Sequence, residues 1–213
     1  MEKKYQDYVI KDGRFIGKFE EMYRDCENPW HQSDNEYVTG SISRNATIGI
    51  IKKYGLSSLC EFGCVLGHTT NYIHKNTGID IIGIDISNTA IEKAKSNYPD
   101  INFYADDVIN INRDIYKTME NILFAEIAWY LLEDNLISKV FDKMMKHYSG
   151  NYFINNLVFY NDDRQKYGRD YFTNLDEFID FCPFEYVGSV ISNFKGDATS
   201  ETTSVFKIVP KSE

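Results

Sequence analysis

The sequence predicts an α/β protein with a doubly wound, mainly parallel sheet of seven strands. Short apolar runs alternate five times with segments of helical periodicity, which is the pattern of a parallel sheet covered by helices. Two long β-rich runs separated by the polar stretch "KGDATSE" end the sequence and read as an antiparallel hairpin. Two helical segments before the first strand are left over and are expected to form a lid over the sheet. A sequence of 213 residues is expected to be one domain, with residues 1–55 as the helical lid and 56–213 as the α/β core.

The elements follow in order. Phe15, Phe19, Met22, Tyr23 and Cys26 recur at helical spacing and predict an amphipathic first helix, broken at Pro29. A second helix is expected over 37–54, with Ile42, Ile48 and Ile51 inward and Gly55 ending it. Strands are expected at 58–62, 80–85, 101–105, 121–126 and 151–160. Between them fall helices at about 67–76, after the Ser87 cap, weakly at 110–117, and at 133–148. A polar and aromatic loop, "YNDDRQKYGRDYF", precedes a short helix at 175–181 and the hairpin strands 185–194 and 202–209.

The net charge of −9 and the lack of a Lys/Arg cluster argue against a nucleic-acid partner. The four cysteines have no metal-ligand spacing and read as reduced thiols of a cytoplasmic protein. The opening residues are too polar for a signal peptide, and no apolar run approaches the ~20 residues of a membrane helix.

In open α/β sheets ligands bind at the carboxyl ends of the strands. Those ends here are acidic: Glu61, Asp85, Asp106 with Asp107, and Glu126. "LCEFGCVLG" runs a strand into a glycine turn that opens a helix, and "IIGID" ends the next strand at Asp85, placed to grip two ribose hydroxyls. A dinucleotide fits poorly, because its pyrophosphate wants amides without a carboxylate nearby. The dinucleotide glycine pattern also fails, with Val65 at the second required position. A phosphate-free, positively charged nucleoside suits these acids better, and S-adenosylmethionine is one.

With these residues in view, the sequence resembles the class I S-adenosylmethionine-dependent methyltransferases, which have a Rossmann-like fold. "EFGCVLG" looks like their first motif, with Glu61, Gly63 and Gly67 in the matching places and Cys64 inside it. "GIDIS" looks like the second, with Asp85 as the ribose acid, followed by Ile86. "YADDVIN" looks like the third, in which Asp106 or Asp107 would meet the adenine amino group beside Val108. "ILFAEIAWYLLED" looks like the fourth-strand motif. That run and "NPWHQSDNEY" are similar to the branch that includes the nodulation-factor N-methyltransferases. The resemblance covers roughly 23–160 and implies S-adenosylmethionine as cofactor, with Trp30 and Arg44 joining its site. Arg44 would pair with the cofactor carboxylate.

The expected activity is methyl transfer to N or O of a small molecule: a sugar, a sugar nucleotide, or a small amine or phosphate metabolite of polysaccharide or secondary metabolism. Glu126, His31 and Tyr130 are the candidate catalytic residues. Glu126 or His31 could act as a base, and Trp129 and Tyr130 either wall the transfer channel or sit in the core. Arg164 and Lys166 could hold an anionic acceptor, or belong to a solvated loop. No metal and no membrane are expected, and a homodimer is left open. A nucleic-acid methyltransferase would show an Asn/Asp-Pro-Pro-aromatic run where this sequence has "EIAWY". The rival reading is a non-catalytic S-adenosylmethionine-binding module or partner subunit.

Overall fold

The computed structural model describes residues 5–30 and 35–211. Its main sheet has seven strands: β3 (Ser58–Phe62), β4 (Asp80–Asp85), β5 (Asn102–Ala105), β6 (Asn121–Ala125), β7 (Tyr152–Tyr160), β8 (Phe184–Ser192) and β9 (Thr199–Pro210). Their spatial order is β5-β4-β3-β6-β7-β9-β8. The first five run parallel, and β9 pairs antiparallel with both β7 and β8. The order reverses between β3 and β6, so the crevice at the carboxyl ends of β4, β3 and β6 is where a ligand is expected.

Alternation along the strands separates two cores. Leu59, Leu123 and Ile154 pack on one face with Ile48 and Ile51 of α3 (Ile42–Tyr54) and Ile73 of α4 (His68–Thr77). Cys60, Phe62, Phe124 and Phe153 pack on the other face with α6 (Leu136–His147) and α7 (Leu175–Phe181). Helix α5 (Asn88–Asn97) covers β4 and β5 through Ile91 and Ala94. Its N-terminus is capped by the Ser87 side chain, which accepts from the Ala90 N–H. Among the described residues no helix is long and apolar enough to cross a membrane.

The N-terminal segment differs from the sequence expectation. Among the described residues before the break at Pro29, α1 (Phe19–Asp25) is the one α-helix; before it come a 3₁₀ turn (Tyr5–Asp7) and a hairpin of β1 (Ile10–Lys11) and β2 (Arg14–Phe15). Asp12 and Gly13 take φ of 52° and 76°, the two-residue turn that suits the twist of paired strands. The expected helix over 37–54 is two helices, α2 (Asn35–Gly40) and α3, separated where Ser41 caps α3 by accepting from the Arg44 N–H. Ile42 is consequently exposed. Two short 3₁₀ turns, Val108–Asn110 and Asp114–Tyr116, replace the weak helix at 110–117. α6 begins three residues later than expected, because Asp134 and Asn135 are left-handed. Since α3 is built into the sheet's cover, the segment arching over the strand ends is the hairpin and α1. They are held by a satellite core of Tyr8, Met22 and Tyr23 against Leu66 and Ala90.

Candidate functional site

A cavity of about 360 Å³ opens at the carboxyl ends of β3 to β6, under the hairpin and α1. Its floor is the turn after β3. The Gly63 and Cys64 N–H groups both donate to the Ile84 carbonyl, at 2.8 and 3.0 Å. Gly63, Val65 and Gly67 take φ of 84°, 56° and 79°. A side chain at Gly63 would stand 2.2 Å from Ile127 Cγ2 and 3.1 Å from the Ala125 carbonyl oxygen, so only glycine fits.

Asp85 lies at the cavity wall. Its Oδ1 accepts from the Ser87 N–H at 3.0 Å and its Oδ2 from the Val65 N–H at 3.1 Å. Burial raises its pKa to about 6, against the pull of those N–H donors. Asp106 and Asp107 also face the cavity but are differently committed. Asp106 accepts from the Asp107 N–H and Asn110 on Oδ1, and from Tyr116 and Arg113 on Oδ2. Burial pushes its pKa up, but the bonds from Tyr116, Asn110 and Arg113 outweigh that and hold it below the usual value. Asp107 accepts through Oδ1 from the Ile109 N–H. Ile86, Val108 and Trp30 line the same cavity, and Trp30 Nε1 donates to Tyr23 Oη at 2.8 Å.

Glu126 sits just past β6 with φ of 63°, its N–H donating to the Asn156 carbonyl. Burial raises its pKa, and the nearby Arg44 charge opposes this. Glu126, Ala125 and Gly63 also border a second, much smaller space, shared with Arg44, Thr69 and Asn156. Arg44 is buried there and donates through Nε to Thr69 Oγ1 at 2.8 Å. Tyr130 faces the main cavity, stacked 6.0 Å from Phe15 and edge-on to Phe19 at 5.2 Å.

Other residues named from the sequence lie elsewhere. Glu61 is fully buried and does not line either space. Its side chain points to the α3–α4 face, where Oε2 accepts from Thr70 at 2.6 Å and Oε1 has no partner. Burial lifts its pKa to about 7. Cys64 packs in the α5 core, and Gly67 is the N-cap of α4, lying so close to Phe103 that a Cβ would stand at 2.6 Å. Trp129 packs against Phe159 and Phe172 in the core, so the two neighbouring aromatics divide, with only Tyr130 at the cavity. Arg164 is exposed and bonded to Asp162, and neither it nor Lys166 reaches the cavity. His31 lies outside the described residues.

Sequence reasoning expected a lid from the N-terminal segment but did not name the residues of it that face the cavity, Phe15, Gly17, Phe19 and Tyr23, nor the hairpin that carries the first of them. The Asp12-Gly13 pair was the available signal, since Asp-Gly between short β-prone runs marks a hairpin. Among the described residues no cluster of His, Cys, Asp and Glu could hold a metal.

No protein-family model and no curated protein sequence matches this sequence. Solved structures do. The N-methyltransferase NodS from Bradyrhizobium japonicum, in complex with S-adenosyl-L-homocysteine, superposes with a TM-score of 0.62 at 18% identity, covering 85% of this chain and 92% of that one. A TehB-like SAM-dependent methyltransferase from Corynebacterium glutamicum gives 0.59 at 17% identity, covering 85% and 96%. Magnesium protoporphyrin IX methyltransferase from Synechocystis gives 0.57 at 11% identity, covering 84% of each chain. At these identities the likeness is one of architecture, and the chain carries the fold shared by these methyltransferases.

Proposed function

We propose that this protein is an S-adenosylmethionine-dependent methyltransferase acting on a nitrogen or oxygen of a small molecule. One observation carries the reading: the cavity at the strand ends is lined by Asp85, Asp106, Asp107 and Glu126 and, among the described residues, by no Lys, Arg or His. That lining repels the phosphates of a nicotinamide or flavin dinucleotide and suits a cationic nucleoside without phosphate. The residues therefore fit the compound that the fold implies.

Asp85 would hold the ribose hydroxyls, both its oxygens already fixed in direction by backbone N–H groups. Asp107 is better placed than Asp106 to meet the adenine amino group, because both oxygens of Asp106 are engaged by several donors. Gly63 lets the backbone approach the amino-acid end, with Arg44 behind it. Bound there, S-adenosylmethionine supplies a methyl on a positively charged sulfur whose leaving form is a neutral thioether. The protein's share is then alignment and exclusion of water, an effect worth ~7–11 kcal/mol in favourable cases. Phe15, Phe19 and Tyr130 provide the exclusion. Glu126 is the half-buried carboxylate at that end and would take a proton from the acceptor.

The acceptor is proposed as a small metabolite rather than a nucleic acid, since aromatic side chains arch over the cavity and its lining is acidic. Titration calorimetry tests the donor: S-adenosylhomocysteine is expected to bind and NAD to give no heat. Binding of NAD in preference would overturn the reading. Radiolabelled methyl transfer across a panel of amines, sugars and sugar phosphates then tests the activity.

A further inference from the structure

The acceptor end of the cavity has its own chemistry. Phe15 lies nearly parallel to Tyr130, with ring centroids 6.0 Å apart and planes at 20°. Phe19 stands edge-on to Tyr130 at 5.2 Å and 67°. Tyr167, from the loop after β7, stacks against Phe15 at 6.2 Å and 27° and so backs the wall from outside. Beside these rings stands Glu126, on a strained backbone at the tip of β6. This is an aromatic layer with one carboxylate next to it.

The cations near the cavity are committed elsewhere. Arg44 donates to Thr69 behind the turn, Arg113 pairs with Asp106, and Arg164 pairs with Asp162 on the surface. Among the described residues none reaches the acceptor end. A phosphate or carboxylate brought there would meet Glu126, whose nearest opposing charge, Arg44, lies behind the turn and is shared with Glu61 and Glu201. A positive or incipiently positive nitrogen would meet ring faces and a carboxylate, both of which favour it. The cavity volume, about 360 Å³, lies at the low end for ligand pockets, which run from roughly 300 to 1,000 Å³. With a nucleoside donor in place only a small group fits beside it.

We infer that the acceptor is an amine carried on a flat apolar body, received between the Phe15–Phe19–Tyr130 layer and Glu126, and that phosphorylated and carboxylated acceptors are refused. This rests on the reading of the cavity as a methyl-donor site and narrows its substrate class. It turns the choice away from sugar nucleotides, whose phosphates have no partner here. Glu126 acts by attracting the nitrogen and by taking its proton, and the aromatic layer selects the shape.

The test separates the two levels. Titration calorimetry first measures S-adenosylhomocysteine binding. With that compound saturating, phenethylamine, 2-phenylethanol, 3-phenylpropanoate, phenyl phosphate and a uridine-diphosphate amino sugar are then titrated in turn. Phenethylamine is expected to bind about tenfold more tightly than 2-phenylethanol, and the three anions to give no heat. Glu126→Gln, saturated the same way, is expected to abolish the preference for amine over alcohol. Phe15→Leu is expected to weaken both. If S-adenosylhomocysteine binds but the anions bind as well as the amine, or amine and alcohol bind alike or not at all, the inference is overturned while the donor reading stands. If S-adenosylhomocysteine itself fails to bind, both fall.

Discussion

Asp85 Oδ2 accepts the Val65 N–H at 3.1 Å, so the carboxylate at the end of β4 is fastened to the turn that follows β3. The same side chain accepts the Ser87 N–H that leads into α5. One carboxylate thus fixes two walls of the cavity and still faces it. Asp85→Ala is expected to lower S-adenosylhomocysteine affinity by more than tenfold and stability by about 1–3 kcal/mol, from two buried backbone donors left without partners. Asp85→Asn keeps the shape and should lose affinity with a smaller loss of stability. Calorimetry and thermal melting read the two effects separately. An affinity within twofold of the parent for Asp85→Ala would show that the ribose is held elsewhere.

Val65 is β-branched and has φ of 56°, a conformation that costs such residues about 1–3 kcal/mol. Replacing it with glycine relieves that strain, at the cost of some apolar contact and of the unfolded chain's greater freedom. The opposing effects are similar in size, so Val65→Gly is expected to melt within a few degrees of the parent. A valine-to-glycine change at an unstrained, half-buried site would be clearly destabilising. A large drop in Tm would mean that packing of the valine against the satellite core outweighs the backbone strain.

Gly63→Ala combines two penalties. Its φ of 84° is outside the range alanine adopts comfortably, and the new methyl would collide with Ile127. The variant is expected to lose about 2–4 kcal/mol, at the upper end for single substitutions. Donor binding should fall with it, because Ile127 must move into the cavity. Ile127→Ala added to Gly63→Ala is expected to restore part of the stability, measured by chemical denaturation. No restoration would place the cost in the backbone alone.

The strand ends were legible, and so was the existence of a lid, but the make-up of the roof was not, for physical reasons. The strands 58–62 and 80–85 and the helix 175–181 match the sequence expectation to the residue. Each strand is a short apolar run closed by a turn. Asp85 could be placed because it ends such a strand. Glu61 lies in the same motif but directly before Phe62, which lines the cavity, so alternation sends the Glu61 side chain to the other face of the sheet. The roof comes from residues some fifty positions earlier, and no local pattern reveals which strand ends they cover. Phe15, Phe19, Met22 and Tyr23 imitate a helix stripe because hairpin and α1 turn their apolar groups to the same side. The burial of Arg44 among Glu61, Glu126 and Glu201 is equally a tertiary fact.

The buried carboxylates give stability an unusual pH dependence. Asp85 and Glu61 have pKa values raised by burial to about 6 and about 7, above the ~4 of unfolded carboxyls. The folded state therefore binds more protons than the unfolded one between pH ~4 and 7. Stability from this source is full below the unfolded value and is lost as pH rises through 6 and 7. Asp106 and Glu201 are held low by hydrogen bonds despite burial, and they work in the opposite direction, but only at pH below ~4. The ligand-free protein should accordingly melt at a higher temperature near pH 5 than at pH 8. Glu61→Gln should flatten that slope. A melting temperature that climbs steadily from pH 5 to 8 would contradict the assignment.

Glu20 is the latch between the arching segment and the core. From α1 its Oε2 accepts from Ser87 Oγ at 2.5 Å and from the Thr89 N–H, and its Oε1 accepts from Thr89 Oγ1 at 2.6 Å. Lys93 Nζ adds a second tie to the Tyr23 carbonyl at 2.7 Å. The Glu20 side chain is exposed and its bonds to Thr89 lie on the surface, so their loss should hardly change the global melting temperature. They do hold Phe19 and Tyr23 over the cavity. Glu20→Ala is therefore expected to speed hydrogen exchange of α1 amides and to weaken S-adenosylhomocysteine about threefold to tenfold, as the loss of one or two net hydrogen bonds allows. The amides of β3 and β4 should exchange as in the parent. If α1 exchange is unchanged while affinity falls, Glu20 acts on the ligand by another route; if both stay unchanged, α1 is held by its apolar contacts with Leu66 and Ala90 and the latch is superfluous.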